Sequence, residues 1–254
     1  IIHIIINNYK IDGMDYSYVP EEIECNFISL DMLFICVPND LVLHYKKIFS
    51  KSNILVNQII CSSYAKSINY KDSLNLNGHT SFIDVGFNRT SIISYYDDKI
   101  LSLDVLPIGG NNITKDISQI LEIDLKRSEQ EKRNFDKNLK RLNNEDVSIN
   151  TLEKVIFART EEILELCVKS SDSNLYMNNK HKMVLMGEGS KILDNQHKDK
   201  ISFLNEIDFL EETLEDICQS GLKFITGINQ QEVVVVPKRQ IKQGFFEKFF
   251  HLFK

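Results

Sequence analysis

No run of apolar residues in this chain reaches the roughly 20 that a helix needs to cross a bilayer. The opening Ile-Ile-His-Ile-Ile-Ile reads as a strand; it is too short for a secretory leader and lacks a basic flank. No Cys-x-x-Cys pair is present. The five cysteines, Cys25, Cys36, Cys61, Cys167 and Cys218, are scattered, odd in number and mainly in apolar runs. That spacing argues against a disulfide framework and predicts buried, reduced thiols in a cytosolic setting. Internal repeats and low-complexity segments are missing. So is a basic surface of one sign: the charged stretch 124–148 mixes acids and bases, as a solvated helical face does, so no nucleic-acid partner is expected. The chain begins at Ile1 rather than Met, inside a strand-like run, and is expected to be a fragment of a longer protein.

At 254 residues the chain can form one large domain or two modest ones, and its net charge is −6. Strand-like runs at 1–6, 28–38 and 54–60 alternate with helical patterns at 41–49 and 64–68, as in a mixed α/β domain. From Thr80 an antiparallel meander follows: strands at 81–85, 90–96 and 100–106, with Asp84 and Gly86 at the first turn. A helix begins after Gly109-Gly110, with Asn112 or Thr114 as N-cap. Further helices are expected over 128–142, from Ile149 onward and over 212–225. A strand at 183–186 runs into a glycine turn, and a Val-rich strand is expected over 231–239.

The last eleven residues hold five of the chain's fifteen phenylalanines. On a helix, Ile241, Phe245, Phe246, Phe249, Phe250 and Phe253 share one arc, while Lys242 and Lys248 can direct their ammonium groups to the interface. Residues 238–254 carry Lys238, Arg239, Lys242, Lys248 and Lys254 against Glu247 alone, on an otherwise acidic chain. This pattern predicts a helix lying on an anionic membrane surface, where each basic residue contributes roughly 1 kcal/mol. A helix docked on its own domain or in a partner's groove has the same pattern.

Three further features concern phosphate chemistry. Asp84-Val-Gly-Phe-Asn-Arg-Thr90 is a strand, turn and returning strand whose amides can surround a phosphate, with an acid able to hold hydrated magnesium. Gly187-Glu-Gly-Ser190 ends a buried strand and permits close approach of a ligand. Glu129 and Lys132 stand three apart on a helix. Taken singly, each also reads as a plain turn or a surface ion pair.

Their order resembles the second half of an actin-like ATPase, and in detail the bacterial cell-division family FtsA. Pro107-Ile-Gly-Gly-Asn-Asn-Ile-Thr-Lys-Asp-Ile117 is similar to that family's Pro-x-Gly-Gly-x-x-x-Thr-x-Asp-Ile. Ser128-Glu-Gln-Glu-Lys132 resembles Ala-Glu-x-x-Lys, and Leu185-Met-Gly-Glu-Gly-Ser190 resembles Leu-Thr-Gly-Gly-Gly-Ser. The opening His3 to Gly13 and the run Val155 to Ile163 are also similar to family stretches. The resemblance implies an α/β fold of the actin/Hsp70 ATPase type, lacking the N-terminal part of the first lobe and ending in an amphipathic helix. It divides the chain into a small family-specific subdomain (1–58), a return to the first lobe (59–78), a nucleotide-binding lobe (79–116 and 179–230), a helical subdomain (117–178), a linker (231–239) and a membrane-targeting helix (240–254).

By position, the resemblance assigns ATP phosphates and Mg²⁺ (through water, at Asp84) to Asp84, Gly86, Asn88 and Thr90. It sets Gly109 and Gly110 near the sugar-phosphate, Glu129 and Lys132 beside the ribose or base, and Gly187, Gly189 and Ser190 at the adenosine turn. Phe87, Asn88 and Arg89 replace two glycines and a threonine of the family hairpin, Ser91 an acid, and Glu188 a glycine. The family's first phosphate loop lies upstream of Ile1. At most a weak ATPase is therefore expected, and no general base is identified. The implied function is an adaptor at the division site, on the cytoplasmic face of the bacterial inner membrane. It would bind the C-terminal peptide of FtsZ, self-associate into filaments and recruit later division proteins. A nucleotide-dead scaffold of the same family, or a sugar kinase or exopolyphosphatase of the same fold, is the alternative.

Overall fold

The computed structural model describes residues 1–16, 24–135, 149–170, 181–192 and 207–226. The Val-rich stretch 231–239 and the Phe-rich tail 240–254 lie outside the described residues.

His3–Ile11 (β1), Met14–Tyr16 (β2) and Ile28–Ile35 (β3) form an antiparallel sheet in the order β2-β1-β3. Asp12 and Gly13 make the β1–β2 turn at φ of 46° and 89°, the left-handed pair that matches the twist of a tight hairpin. The Asp12 carboxylate accepts the amides of Asn26 and Phe27, fixing the start of β3. Asn39–Ser50 (α1) follows Pro38 and buries none of its residues. The strand expected over 54–60 is not formed. Its amides have no neighbouring strand to pair with, and Leu55 is 85% exposed.

Ser62–Ser73 (α2) leads into a five-stranded sheet built from His79–Val85 (β4), Thr90–Tyr96 (β5), Lys99–Leu106 (β6), Lys182–Met186 (β7) and Ile207–Phe209 (β8). Its order is β6-β5-β4-β7-β8; the first three strands are an antiparallel meander, and β7 and β8 add in parallel. Gly110–Leu121 (α3), Leu125–Arg133 (α4), Ile149–Ser170 (α5) and Leu214–Ile225 (α6) complete the described elements, with a short 3-10 turn at Glu188–Ile192. Helix α3 begins one turn before the expected caps. Gly109 is its N-cap, and Asn112 reaches back to accept the Gly109 amide at 3.0 Å.

Strand alternation divides the core across the sheet. Ile83, Val85, Ile92, Met183 and Leu185 face α3 and α5, where Ile113, Ile117, Ile156 and Leu164 meet them. Phe82, Ile93, Tyr95, Val184 and Met186 face the other way, onto Tyr64 of α2 and Ile5 and Ile35 of the small sheet. Central strands buried on both faces explain why β4 and β7 read as continuous apolar runs. Each fully buried large side chain among them contributes about 1.5–3 kcal/mol. Helix α2 also packs on α6, where Asn69 Nδ2 donates to Ser220 Oγ at 3.0 Å. His3 ties the small sheet to this layer: its Nε2 accepts the Cys61 amide at 3.0 Å, and its ring stands edge-on to Tyr64 and Phe224. The cysteines depart from expectation. Only Cys167 is buried; Cys25, Cys36 and Cys218 are exposed and Cys61 is intermediate, because their apolar neighbours belong to edge elements.

Candidate functional site

Three turns meet backbone to backbone at one end of the five-stranded sheet. Parallel pairing of β4 with β7 brings the ends of both strands together, and α3 starts against them. The Gly110 amide donates to the Gly86 carbonyl at 2.9 Å, and the Asn111 amide to the Phe87 carbonyl at 2.7 Å. A Cβ on Gly109 would lie 2.6 Å from Gly86 O, and one on Gly189 would lie 2.6 Å from Val85 Cγ1. Gly187 has φ of +96°, and a Cβ there would meet Val85 O at 2.6 Å. Glycine is required at these positions so that the turns can touch one another. The contacts also engage the first amides of α3, which in an open helix N-terminus would face an anion.

Behind the hairpin lies a buried ionic cluster. Asp84 Oδ2 accepts from Ser63 Oγ at 2.6 Å and lies 3.0 Å from Lys66 Nζ. The same ammonium is 3.0 Å from Glu212 Oε2, which also accepts the Gly187 amide at 2.7 Å. Lys66 and Glu212 are each 4% exposed and Asp84 8%. A magnesium ion beside Asp84 would be a second cation next to the Lys66 ammonium, and Oδ2 already has two partners. The residues present therefore do not fit a divalent ion at Asp84. Among the described residues there is also no group of three or more His, Cys, Asp or Glu side chains arranged to hold a metal.

A second cluster joins α3 to α4. Lys132 Nζ donates to Gly110 O at 2.9 Å and Thr114 Oγ1 at 2.7 Å, and pairs with Glu129 Oε2 at 2.6 Å. Thr114 Oγ1 donates to Glu129 Oε2 at 2.5 Å, and Arg133 Nε to Glu129 Oε1 at 2.7 Å. Burial lowers the Lys132 pKa below its ordinary value, although Glu129 acts in the opposite sense. Burial raises the Glu129 pKa, but hydrogen bonds from Lys132, Thr114 and Arg133 outweigh it and hold the carboxyl below its usual range. Asp124 caps α4 by accepting the Lys126 and Arg127 amides, which fixes the phase of Glu129 and Lys132 on the helix.

A cavity of about 260 Å³ opens between these elements. Gly110, Glu129, Lys132 and Gly189 line it, as do Phe87, Arg133, Phe135, Glu188, Lys191 and Ile192. Phe87 lies over the Lys132 ammonium, 5.8 Å from ring centroid to Nζ. The lining thus combines apolar ring surface with paired charges, the mixture suited to a small polar ligand with a flat portion.

Of the residues singled out from sequence, the structure brings Gly110, Glu129, Lys132 and Gly189 to the cavity wall. Gly86, Gly109 and Gly187 lie just behind it in the turn-to-turn contacts. Thr90 is fully buried, its hydroxyl donated to Ile108 O, and Ser190 donates to Gly187 O. Asn88 is exposed and accepts from Asn111. Asp84 belongs to the Lys66 cluster. Sequence reasoning missed Phe87 and Arg133 as lining, and Lys66 and Glu212 altogether. Phe87 carried a signal, since a large ring in a glycine turn is unusual. Glu212 carried none, because 128 residues separate it from Asp84 in the chain.

A meander continued by parallel strands, with helices on both faces and glycine turns meeting at the strand ends, defines the actin-like ATPase fold. Solved structures agree. The PilM–PilN type IV pilus biogenesis complex matches with a TM-score of 0.57 at 15% identity, over 81% of this chain and 61% of that one. MreB5 of Spiroplasma citri bound to ADP matches with a TM-score of 0.56 at 12% identity, over 75% and 66%. The family model described as cell division protein FtsA matches residues 81–230, and the chain belongs to the FtsA family. A cell division protein FtsA of Buchnera aphidicola subsp. Schizaphis graminum is 26% identical over 246 residues, covering 90% of this chain. The chain spans 57% of that relative's length.

Proposed function

We propose that this chain is the nucleotide-lobe portion of a division-site adaptor that ties FtsZ filaments to the cytoplasmic face of the bacterial inner membrane. The observation that carries this reading is the FtsA family match over 81–230, the segment that builds the cavity. ATP is the proposed ligand, its adenosine in the cavity beside Glu129, Lys132 and Phe87 and its phosphates toward the 86–89 turn. The helical subdomain (117–178) takes the FtsZ C-terminal peptide, and residues 1–58 and 59–78 act as the small subdomain and the return segment.

Self-association is supported by the uncovered apolar row Ile28, Leu30, Met32 and Phe34 on β3, each at least 38% exposed. The tail 240–254 is the lipid contact. One such helix binds a membrane only marginally, but many along a filament bind tightly, so assembly switches attachment and brings later division proteins together. Among the described residues no helix is long and apolar enough to cross a membrane, which leaves attachment to the tail.

The experiment is flotation with liposomes containing anionic lipid, using the chain with and without residues 240–254. Flotation that depends on the tail is expected. Equal flotation of both would end the adaptor reading in favour of a soluble enzyme of the same fold.

A further inference from the structure

We propose that Lys66 is the fixed cation of the phosphate end of this site, standing where an actin-like ATPase lobe would otherwise gather a divalent ion at Asp84. For its bearing on nucleotide, the inference rests on the ATP reading above. Asp84 closes β4 immediately before the hairpin, Gly187 opens the turn after β7, and Glu212 precedes α6. A single ammonium, reached from α2, lies 3.0 Å from both carboxylates. Ser63 completes Oδ2 of Asp84, and the Gly187 amide completes Oε2 of Glu212.

Two carboxylates buried this deeply need a positive charge between them, because an uncompensated buried charge is strongly destabilising. Lysine supplies a compact point charge with three donors. A divalent ion at the same oxygens would have to displace it. The cluster therefore holds its countercharge with or without metal, and the adjoining turns are preformed in metal-free solution. If Lys66 merely pinned α2 to the sheet, its removal would weaken the fold and no ion would repair the loss.

The test uses the full 254-residue chain. Thermal unfolding without nucleotide is recorded in EDTA and in millimolar MgCl₂ for the parent, Lys66→Met, and Lys66→Met combined with Asp84→Asn. The parent midpoint is expected not to move with Mg²⁺. Lys66→Met is expected to melt lower and to regain several degrees with Mg²⁺, and the double variant to lose that response. A saturable Mg²⁺ stabilisation of the parent that Asp84→Asn abolishes would overturn the inference, and so would a folded Lys66→Met indifferent to Mg²⁺.

Should Lys66→Met not fold, ATP titration of the parent decides. Affinities in EDTA and MgCl₂ within about threefold are expected, and a loss of about tenfold or more in EDTA would overturn the inference. Absence of ATP binding under both conditions would remove the nucleotide reading, while the parent's melting response to Mg²⁺ would still decide the role of Lys66.

Discussion

Gly187→Ala measures how closely the three turns are packed. At φ of +96°, an alanine meets the strain of a left-handed backbone, about 1–2 kcal/mol. Its Cβ would also press on the Asp84 carboxylate, on Val85 O at 2.6 Å and on Val85 N at 3.0 Å. These are backbone atoms of a central strand and the acid of a buried cluster, so neither can give way easily. Overpacking of this kind adds about 1–3 kcal/mol. Gly78 provides an internal control: its φ is +76°, but a Cβ there meets nothing within 4 Å. Gly78→Ala should therefore show the backbone strain alone. The difference between the two variants isolates the crowding, at about 1–3 kcal/mol. Urea unfolding followed by circular dichroism supplies both numbers, provided the slope with denaturant is the same in each. In thermal melts, each kcal/mol corresponds to about 2–4 °C for a chain of this size class. Equal losses for the two variants would refute the contact between the β7 turn and the end of β4, and the geometry of the site with it.

Burial holds the His3 pKa down to about 4 from 6.5, and Nε2 accepts the Cys61 amide, so the folded ring is neutral. Between those values the unfolded chain binds a proton that the fold refuses. Stability should be level above about pH 6.5, fall as pH drops toward 4 by at most about 3 kcal/mol, and level again below. His3→Phe should remove that part of the slope in urea midpoints taken from pH 4.5 to 7.5, whereas identical slopes would contradict a neutral buried ring. Lys132→Met should weaken ATP binding by about tenfold in equilibrium titration, since Glu129 loses its nearest cation at the cavity wall; unchanged affinity would place the nucleotide elsewhere. Phe87 is 53% exposed, so Phe87→Ala should change stability by no more than about 0.5 kcal/mol yet reduce ATP affinity several-fold. A variant that binds ATP as the parent does would exclude Phe87 from the site.

The meander was legible from Thr80 onward because each strand carries its own alternation and its own turn residues. The same holds for α5 and α6, whose apolar spacing is helical, and for the glycine turns at the strand ends. Local pattern failed at 54–60. An apolar run that reads as a strand forms none there, because a strand needs a neighbour and β3 already ends the sheet. It failed again at the cysteines, where apolar neighbours in sequence did not mean burial on an edge element.

By itself, the sequence determined the family, the order of elements and four of the residues lining the cavity, since these follow from periodicity, turn chemistry and motif spacing along the chain. Only the tertiary structure decided that Gly109, Gly187 and Gly189 serve contacts among turns, that Thr90 faces inward, and that Asp84 already has a cation. The physical reason is that the partners of Asp84, Lys66 and Glu212, come from α2 and from the approach to α6. Nothing local in the chain encodes their meeting. It follows from the parallel pairing of β4 with β7 and the packing of α2 on α6, which buries the three charges where they can only answer one another.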